Sequence, residues 1–188
     1  MKRIAIFGSG SGSNAERICA FFKNSLDVRV VLIASNKKNA FILDRAKKLN
    51  IPHVVFSKTE LEEFYTLNAF LVKKGVDYIV LAGFLLKIPL KMVLFYNQKI
   101  INIHPSLLPK YGGKGMFGNR GHEEVLKNNE QTSGITIHLV NEKYDDGKVL
   151  LQKTCLVEKN ETVDSLSKKV SSLEYAFFAK TIEKHLLK

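Results

Sequence analysis

Short apolar segments alternate with helical segments over the first hundred residues, and this alternation constrains the fold more than any other feature of the chain. Residues 28–34 (VRVVLIA) are apolar on both faces, as in a strand that is covered on both sides. Strands that alternate with helices predict right-handed crossovers and a parallel sheet between two layers of helices. The predicted strands are residues 2–7, 28–34, 53–56, 78–82 and 99–103, and the predicted helices are residues 15–23, about 40–49 and 59–74.

The pattern changes after residue 104. Residues 106–121 are a loop rich in Gly, Pro and Lys, which precedes a short predicted helix from His122. Residues 134–140 and 149–157 are predicted strands joined by an acidic turn, and residues 163–187 are a long predicted helix. The sequence therefore predicts a single doubly wound, Rossmann-like α/β domain over residues 1–188. Its sheet is expected to be mostly parallel with helices on both faces, followed by a C-terminal strand pair and a long helix.

The composition indicates a soluble protein of a reducing compartment. Of the 188 residues, 45% are apolar and 25% are charged, which are the usual proportions of a globular domain. No apolar run reaches the roughly 18 residues of a membrane span, and the charged start of the chain differs from a signal peptide. Cys19 and Cys155 lack the spacing of metal ligands, so we expect two reduced thiols, no metal site and a cytoplasmic location.

The formal charge of +11 suits either an anionic substrate or a nucleic acid. It comes from 24 Lys and only 5 Arg, which are spread along the whole chain. Proteins that read nucleic acids usually cluster their charge and depend on Arg for bidentate contacts. We therefore expect most of the lysines to cover solvated surface, and a minority to attract phosphate and carboxylate groups.

Residues 8–14 (GSGSGSN) connect the first predicted strand to the first predicted helix. Glycines let the backbone approach an anion, and a helix N-terminus offers free N–H groups and a positive dipole end. A phosphate site is one interpretation, and a tight turn capped by Ser13 or Asn14 is the other. A dinucleotide site would need an acid about 20 residues further on, where the chain reads SNKK, and a P-loop would need Gly-Lys-Ser/Thr. A single phosphomonoester is the best match.

Asn102 and His104 lie at the carboxyl end of the fifth predicted strand. Ligands of open parallel sheets bind at this edge, and residues two apart on a strand share a face. An Asn amide and an imidazole that converge on one point can donate hydrogen bonds to an oxygen that gains negative charge, although a strand-end histidine is often structural. Asp145 and Asp146, in a turn closed by Gly147, are either ordinary turn formers or acidic partners of this pair.

Together these features resemble the folate-dependent formyltransferases. The resemblance rests on residues 102–109 (NIHPSLLP), on Gly-x-Thr-x-His-x-Val at 134–140 and on Asp-x-Gly at 145–147, and it extends from the glycine loop to Glu174 on the last predicted helix. It is closest to the small single-domain branch that acts in purine biosynthesis. The resemblance implies transfer of the formyl group of 10-formyltetrahydrofolate, as a co-substrate, to the amine of 5'-phosphoribosylglycinamide, without a metal.

The resemblance also implies roles for individual residues. The implied catalytic residues are Asn102, His104 and Asp145, and the phosphate and ribose of the substrate are assigned to Gly12, Ser13, Asn14 and Glu174. The folate is assigned to Leu85, Leu86, Lys87, Ile88, Asn102, Asn141, Glu142, Lys143, Tyr144 and Asp145. His138 is expected to pack against the site. The family often has an Arg after the third strand, and here only Lys58 is available for that contact with the folate tail. Residues 114–118 (KGMFG) are expected to be a mobile variant loop without chemistry.

The implied reaction is direct attack of the amine on the formyl carbon. Asn102 and protonated His104 would stabilise the oxyanion, while Asp145 would favour the charged imidazole and position a proton-carrying water. A methionyl-tRNA formyltransferase would need an added C-terminal RNA-binding domain, and a formyl-folate hydrolase an added N-terminal regulatory domain. A nucleotide- or RNA-binding module would leave the Asn-His-Asp arrangement as a coincidence. We expect small-molecule substrates, no nucleic-acid or membrane partner, and a monomer or weak homodimer.

Overall fold

Seven strands form one sheet in the computed structural model, which describes residues 1–113, 115–116 and 118–188. The expected mobility of residues 114–118 involves Lys114 and Phe117, which lie outside the described residues. The strands are β1 (Lys2–Phe7), β2 (Val28–Ser35), β3 (His53–Val55), β4 (Tyr78–Leu81), β5 (Ile100–His104), β6 (Thr132–Leu139) and β7 (Val149–Leu156). The helices are α1 (Ser13–Phe22), α2 (Phe41–Lys48), α3 (Lys58–Glu63), α4 (Tyr65–Lys73), α5 (Leu90–Phe95), α6 (Arg120–Lys127) and α7 (Val163–Leu186).

The strand order is β3-β2-β1-β4-β5-β6-β7. The first five of these strands are parallel, and β6 and β7 are antiparallel to their neighbours. The chain leaves β1 toward β2 on one side and later enters β4 on the other, so the order reverses between β1 and β4. In open α/β sheets this reversal opens a crevice at the carboxyl ends of the two strands. The predicted doubly wound, mostly parallel sheet with a C-terminal strand pair is confirmed.

Both faces of the central strands β1, β2, β4 and β5 are buried, and because side chains alternate along a strand, the two faces contribute to separate cores. On β1, Ile4 and Ile6 join the apolar core under α1, α2 and α7, whereas Ala5 and Phe7 join the core under α3, α4 and α5. All four side chains are fully buried. Burying a side chain the size of Ile or Phe contributes roughly 1.5–3 kcal/mol relative to exposure. The two cores therefore hold the central strands, and the loops at their carboxyl ends, in fixed positions.

The prediction of one helical stretch over residues 59–74 is wrong. Phe64 separates α3 from α4 with a left-handed backbone, φ 64°. This residue is 6% exposed, and its ring meets the Phe95 ring at a centroid distance of 6.0 Å. Tertiary burial of the Phe64 side chain thus accompanies the break, which helical periodicity does not reveal. The short helix α5 was also missed, and α6 begins at Arg120 rather than His122.

Within the described residues, no helix combines the length and the apolar character needed to cross a bilayer. The longest helix, α7, instead carries buried residues on one side, including Val170 and Ile182. Thr162 begins this helix as an N-cap, since its side chain accepts a hydrogen bond from the backbone N–H of Ser165. After β7, α7 returns across the sheet and packs against α1, where Glu174 of α7 accepts a hydrogen bond from Asn14.

Candidate active site

A cleft of about 710 Å³ opens at the carboxyl edge of the sheet. Its floor includes the ends of β4 and β5, and its walls are the loop after β1, the loop after β4 and the turn between β6 and β7. The cleft therefore lies at the point where the strand order reverses. Of the residues assigned to the site from the sequence, those on the cleft wall are Gly12, Ser13, Asn14, Leu85, Leu86, Lys87, Ile88, Asn102, His104, Asn141, Lys143, Tyr144, Asp145 and Glu174.

Two of the expected contacts do not lie on this wall. Glu142 is exposed in the β6–β7 turn and is absent from the lining of the cleft. Lys58, the expected substitute for the family's arginine, is also outside the lining, and its ammonium pairs with Glu62 at 3.5 Å on the exposed surface of α3. The lysines of the cleft wall are instead Lys87 and Lys143, among the described residues. The Lys87 ammonium sits 5.3 Å from the centre of the Tyr144 ring.

The glycine loop makes a tight, left-handed turn into α1. Gly12 precedes α1 with φ 74°, and a Cβ at this position would lie 2.7 Å from the backbone of Ile42. A side chain is thus excluded both by conformation and by space. The first turn of α1 lacks a side-chain cap, so neither Ser13 nor Asn14 acts as the N-cap considered above. The residues of this turn line the cleft, and no side-chain oxygen caps the N–H groups at the start of α1.

Asn14 connects the glycine loop to the long C-terminal helix. Its Nδ2 donates a hydrogen bond of 2.8 Å to Oε2 of Glu174. Burial raises the pKa of Glu174, and the hydrogen bond from Asn14 offsets only part of this effect. This bond holds the Glu174 carboxyl on the wall of the cleft, beside the start of α1.

The register of β5 and β6 places His138 beside Asn102. The two residues are direct partners in the antiparallel pair, and Nδ2 of Asn102 lies 3.1 Å from Nε2 of His138. Nδ1 of His138 lies 2.8 Å from the carbonyl oxygen of Leu139, and because a carbonyl only accepts, Nδ1 carries the proton. When Nε2 of His138 carries no proton, it accepts from Asn102 and fixes the orientation of that amide, and when it carries one, it faces Asp145. The expectation that His138 packs against the site is confirmed, and the structure adds this hydrogen bond.

His104 is 5% exposed and meets a partner on each side of its ring. Nε2 lies 2.8 Å from the carbonyl oxygen of Tyr111, so Nε2 is the protonated nitrogen. Nδ1 lies 3.6 Å from Oδ2 of Asp145. The nitrogen that faces the acid is thus Nδ1, and a second proton at this position would be stabilised by the carboxylate.

Asp145 lies between both histidines. Its Oδ1 is 3.7 Å from Nε2 of His138, and its Oδ2 accepts a 2.8 Å hydrogen bond from the backbone N–H of Gly113. Burial by itself raises the pKa of Asp145, but His138, the charge of His104 and the Gly113 amide together outweigh burial and lower it. Asp145 is therefore ionised at neutral pH. Asp146 differs in that its carboxylate is exposed and accepts from Asn141 at 3.1 Å.

Thr136 explains why the Gly-x-Thr-x-His pattern accompanies residues 102–109. Its Oγ1 donates to the carbonyl of Ser106 at 2.7 Å and accepts from the N–H of Leu108 at 3.0 Å. Gln152 adds a bond from Nε2 to the Leu108 carbonyl at 2.8 Å. Gly134 is required because a Cβ there would lie 1.9 Å from the carbonyl of Lys153. The β6–β7 pair thus fixes the loop that follows His104.

His122 is a further buried histidine near the site, although it does not line the cleft. It is 4% exposed, and its Nδ1 has no hydrogen-bond partner. Burial first, and the charge of His104 second, lower the pKa of His122. Within the described part of the chain, no group of three or more His, Cys, Asp and Glu is arranged to hold a metal ion.

Comparisons with known proteins agree with this arrangement. Residues 2–182 match the family described as formyl transferase. The chain belongs to this family. It is 39% identical over 189 residues to a chloroplastic phosphoribosylglycinamide formyltransferase of Arabidopsis thaliana, covering 96% of this chain and 64% of the relative. It is 30% identical to the phosphoribosylglycinamide formyltransferase of Bacillus subtilis, covering 99% of this chain and 95% of the relative.

Solved structures of the family share the fold over the whole chain. The crystal structure of phosphoribosylglycinamide formyltransferase from Bacillus halodurans superposes with a TM-score of 0.88 at 33% identity, covering 100% of this chain and 96% of that one. The chain spans less than two thirds of the plant relative's length, whereas it matches the two Bacillus proteins almost from end to end. The family membership expected from the sequence is confirmed.

Proposed function

We propose that this chain transfers the formyl group of 10-formyltetrahydrofolate to the amine of 5'-phosphoribosylglycinamide, a step of purine biosynthesis. The observation that carries the proposal is one cleft whose lining brings together the glycine loop, the polar residues Asn102, His104 and Asp145, and the apolar residues of the loop after β4. Family membership and the relatives of that name support it. We further propose that residues 1–188 act as one formyltransferase domain.

The glycine loop would bind the phosphate of the acceptor substrate. Gly12 allows the chain to pass close to Ile42, and the uncapped N–H groups of Ser13 and Asn14 follow it at the start of α1. A helix N-terminus attracts a phosphate through these groups and through the helix dipole. Glu174, bound to Asn14, would accept hydrogen bonds from the ribose hydroxyls. The substrate amine would then point from the ribose toward His104.

The folate would occupy the part of the cleft that is lined by the loop after β4 and by the turn between β6 and β7. Leu85, Ile88 and Val140 supply apolar surface there, which suits a flat heterocycle whose polar edge meets backbone groups. The acidic tail of the folate would meet Lys87 and Lys143, since these are the lysines that line the cleft among the described residues, whereas Lys58 is outside the lining. This assignment replaces the sequence-based expectation for Lys58.

The three polar residues would perform the chemistry. The amine nitrogen forms a bond to the formyl carbon, and negative charge develops on the formyl oxygen, where the second hydrogen of Asn102 Nδ2 and a proton on His104 Nδ1 can stabilise it. The bond from the formyl carbon to the folate nitrogen then breaks. Asp145, ionised and 3.6 Å from His104, stabilises the charged imidazole and can hold the water that moves a proton from the amine to the leaving nitrogen.

Holding both reactants in one cleft would supply a large part of the rate. A well-oriented pair reacts as though at an effective concentration of about 10⁵–10⁸ M. The phosphate and folate ends of the substrates would be held by different walls, so their reacting ends meet near Asn102. We propose that the partners are these small molecules, that neither nucleic acid nor membrane is bound, and that the protein is a cytoplasmic monomer or weak homodimer with two free thiols.

A release assay tests the proposal. The protein is mixed with 10-formyltetrahydrofolate, with and without phosphoribosylglycinamide, and free tetrahydrofolate is followed. A transferase releases tetrahydrofolate only when the acceptor is present, whereas a formyl-folate hydrolase releases it in both mixtures. A binding module releases none in either mixture, and this result would contradict the proposed function. The His104→Ala variant is the control for contaminating activity.

A further inference from the structure

Tyr111 is a half-buried residue that none of the functional assignments above includes. Its backbone is left-handed, φ 55°, a conformation that is strained for a residue other than glycine. In this conformation the carbonyl oxygen of Tyr111 lies 2.8 Å from Nε2 of His104. The same oxygen accepts a bond of 3.2 Å from the hydroxyl of Ser106, which is 1% exposed. These two contacts hold the Tyr111 carbonyl against the His104 ring.

The side chain of Tyr111 anchors this unusual conformation from outside. Its hydroxyl donates a 2.8 Å hydrogen bond to Oε1 of Glu130 and accepts one of 3.2 Å from Nδ2 of Asn128. Glu130 and Asn128 follow the end of α6 and are thus fixed to a different part of the molecule. Burial, and then the bond to Glu130, raise the pKa of the Tyr111 phenol, so it remains a donor at neutral pH.

The carbonyl determines which nitrogen of His104 reacts. A carbonyl oxygen accepts and never donates, so it holds the proton on Nε2. Nδ1 is then the nitrogen that faces Asp145 at 3.6 Å. In zinc enzymes and hydrolase triads, a fixed partner on one imidazole nitrogen sets the tautomer and direction of the other. Two residues further on, the N–H of Gly113 binds Asp145 at 2.8 Å, so the same short segment orients both members of the pair.

We propose that Tyr111 is a positioning residue, whose side chain is anchored to Glu130 so that its carbonyl keeps His104 in the Nε2–H tautomer with Nδ1 toward Asp145. The inference rests on the proposed function for its effect on turnover. Its effect on the tautomer is independent of that function. Loss of the anchor should therefore lower kcat through His104, while the substrate-binding walls of the cleft stay as they are.

The test uses substitutions that remove the anchor in different ways. Tyr111→Phe deletes only the hydroxyl, and Glu130→Ala deletes its acceptor. Each should lower kcat about tenfold, the size expected for one hydrogen bond to a charged group, with both KM values within about twofold. Glu130→Gln retains an acceptor oxygen and should restore most of the activity. The double variant Tyr111→Phe/Glu130→Ala should lose no more kcat than either single variant, because both substitutions remove the same hydrogen bond.

Lys110→Met is the matched control. Its ammonium binds the same oxygen of Glu130 at 2.8 Å, but its side chain has no path to His104. It should retain wild-type kcat. An equal loss in Lys110→Met and Tyr111→Phe would mean that the charge cluster merely stabilises the loop, and would overturn the proposal.

Imidazole ¹⁵N NMR tests the tautomer without any substrate. At a pH where the imidazole of His104 is neutral, the wild-type protein should show His104 as the Nε2–H tautomer. The His104 signals are assigned by comparison with His104→Ala. Tyr111→Phe should show a mixture of both tautomers, and Lys110→Met should match the wild type. An unchanged His104 spectrum in Tyr111→Phe contradicts the inference even if turnover falls. If the wild-type protein fails to transfer formyl groups, the proposed function fails, and the spectra still decide the role of Tyr111.

Thermal unfolding of each variant shows whether it is folded. If Tyr111→Phe is not folded, Glu130→Ala takes its place in both experiments.

Discussion

Replacing Asp145 by Asn separates the role of its charge from the role of its shape. Asn has the same size and can still accept the hydrogen bond from the Gly113 amide, so the turn should be retained. The lost charge lies 3.6 Å from Nδ1 of His104. At an effective dielectric constant of 20, a unit charge pair at this distance attracts by about 5 kcal/mol before solvation is counted. A part of this energy is enough to lower kcat on the order of 10²–10³.

A mutant cycle with His104→Ala shows whether the two residues act as one unit. His104→Ala alone should also cost on the order of 10²–10³ in kcat. Because the proposed role of Asp145 is exerted largely through His104, the double variant should lose little more than the more damaged single variant. Asp146→Asn is the matched control, since this acid is exposed and binds Asn141. It should keep kcat within about twofold, a range usual for surface substitutions.

The assay is kcat for tetrahydrofolate release at saturating concentrations of both substrates. Two results would refute the reasoning. One is a double variant whose loss equals the product of the single losses, which would mean that the residues act independently. The other is an equal effect of the Asn substitution at residues 145 and 146, which would make both acids ordinary turn formers.

Three further predictions concern the walls of the cleft and the buried histidine. Asn14→Ala should raise the KM for phosphoribosylglycinamide and leave the KM for the folate nearly unchanged, as measured by steady-state kinetics with each substrate varied. Equal rises in the two KM values would contradict the assignment of the glycine loop to the phosphate alone. Lys87→Met should raise the KM for a polyglutamylated folate about two- to fivefold, as loss of one exposed ion pair does, whereas Lys58→Met should have no effect; the reverse order would refute the new assignment. The pKa of His122 is lowered in the folded protein. Below the unfolded value of about 6.5, the unfolded chain therefore binds a proton that the folded chain does not, and the free energy of unfolding decreases as the pH is lowered. The free energy of unfolding in urea should therefore fall less between pH 7 and 5.5 in His122→Gln than in the wild type, and the exposed-residue control His53→Gln should keep the wild-type fall.

The sheet and the location of the site could be predicted from the sequence because both depend on local patterns. Apolar strands that alternate with helices predict a parallel sheet, and the carboxyl edge of such a sheet is where ligands bind. Asn102 and His104 are two residues apart on a strand, which predicts that they share a face. Asp145 entered the candidate site through resemblance to a family, because its turn pattern alone is common.

The contacts between distant segments could not be predicted in the same way. His138 meets Asn102 because β5 and β6 pair in one particular register, and a shift by one residue would turn the ring to the other face. The Tyr111 carbonyl reaches His104 only through a left-handed backbone, for which a tyrosine gives no signal. The break at Phe64 has the same origin, since burial of a ring in the core overrides helical periodicity. Lys58 was assigned by its position in the sequence, whereas cleft-lining lysines come from two other loops.

The most direct test of the proposed reaction follows the bond that it forms. The protein is supplied with 10-formyltetrahydrofolate labelled with ¹³C in the formyl group and with phosphoribosylglycinamide labelled with ¹⁵N in its amine. The proposed transfer predicts a product in which ¹³C and ¹⁵N show one-bond coupling by NMR, formed by the wild-type protein and on the order of 10²–10³ more slowly by His104→Ala. Appearance of ¹³C-formate without a coupled product, or of neither species, would contradict the account.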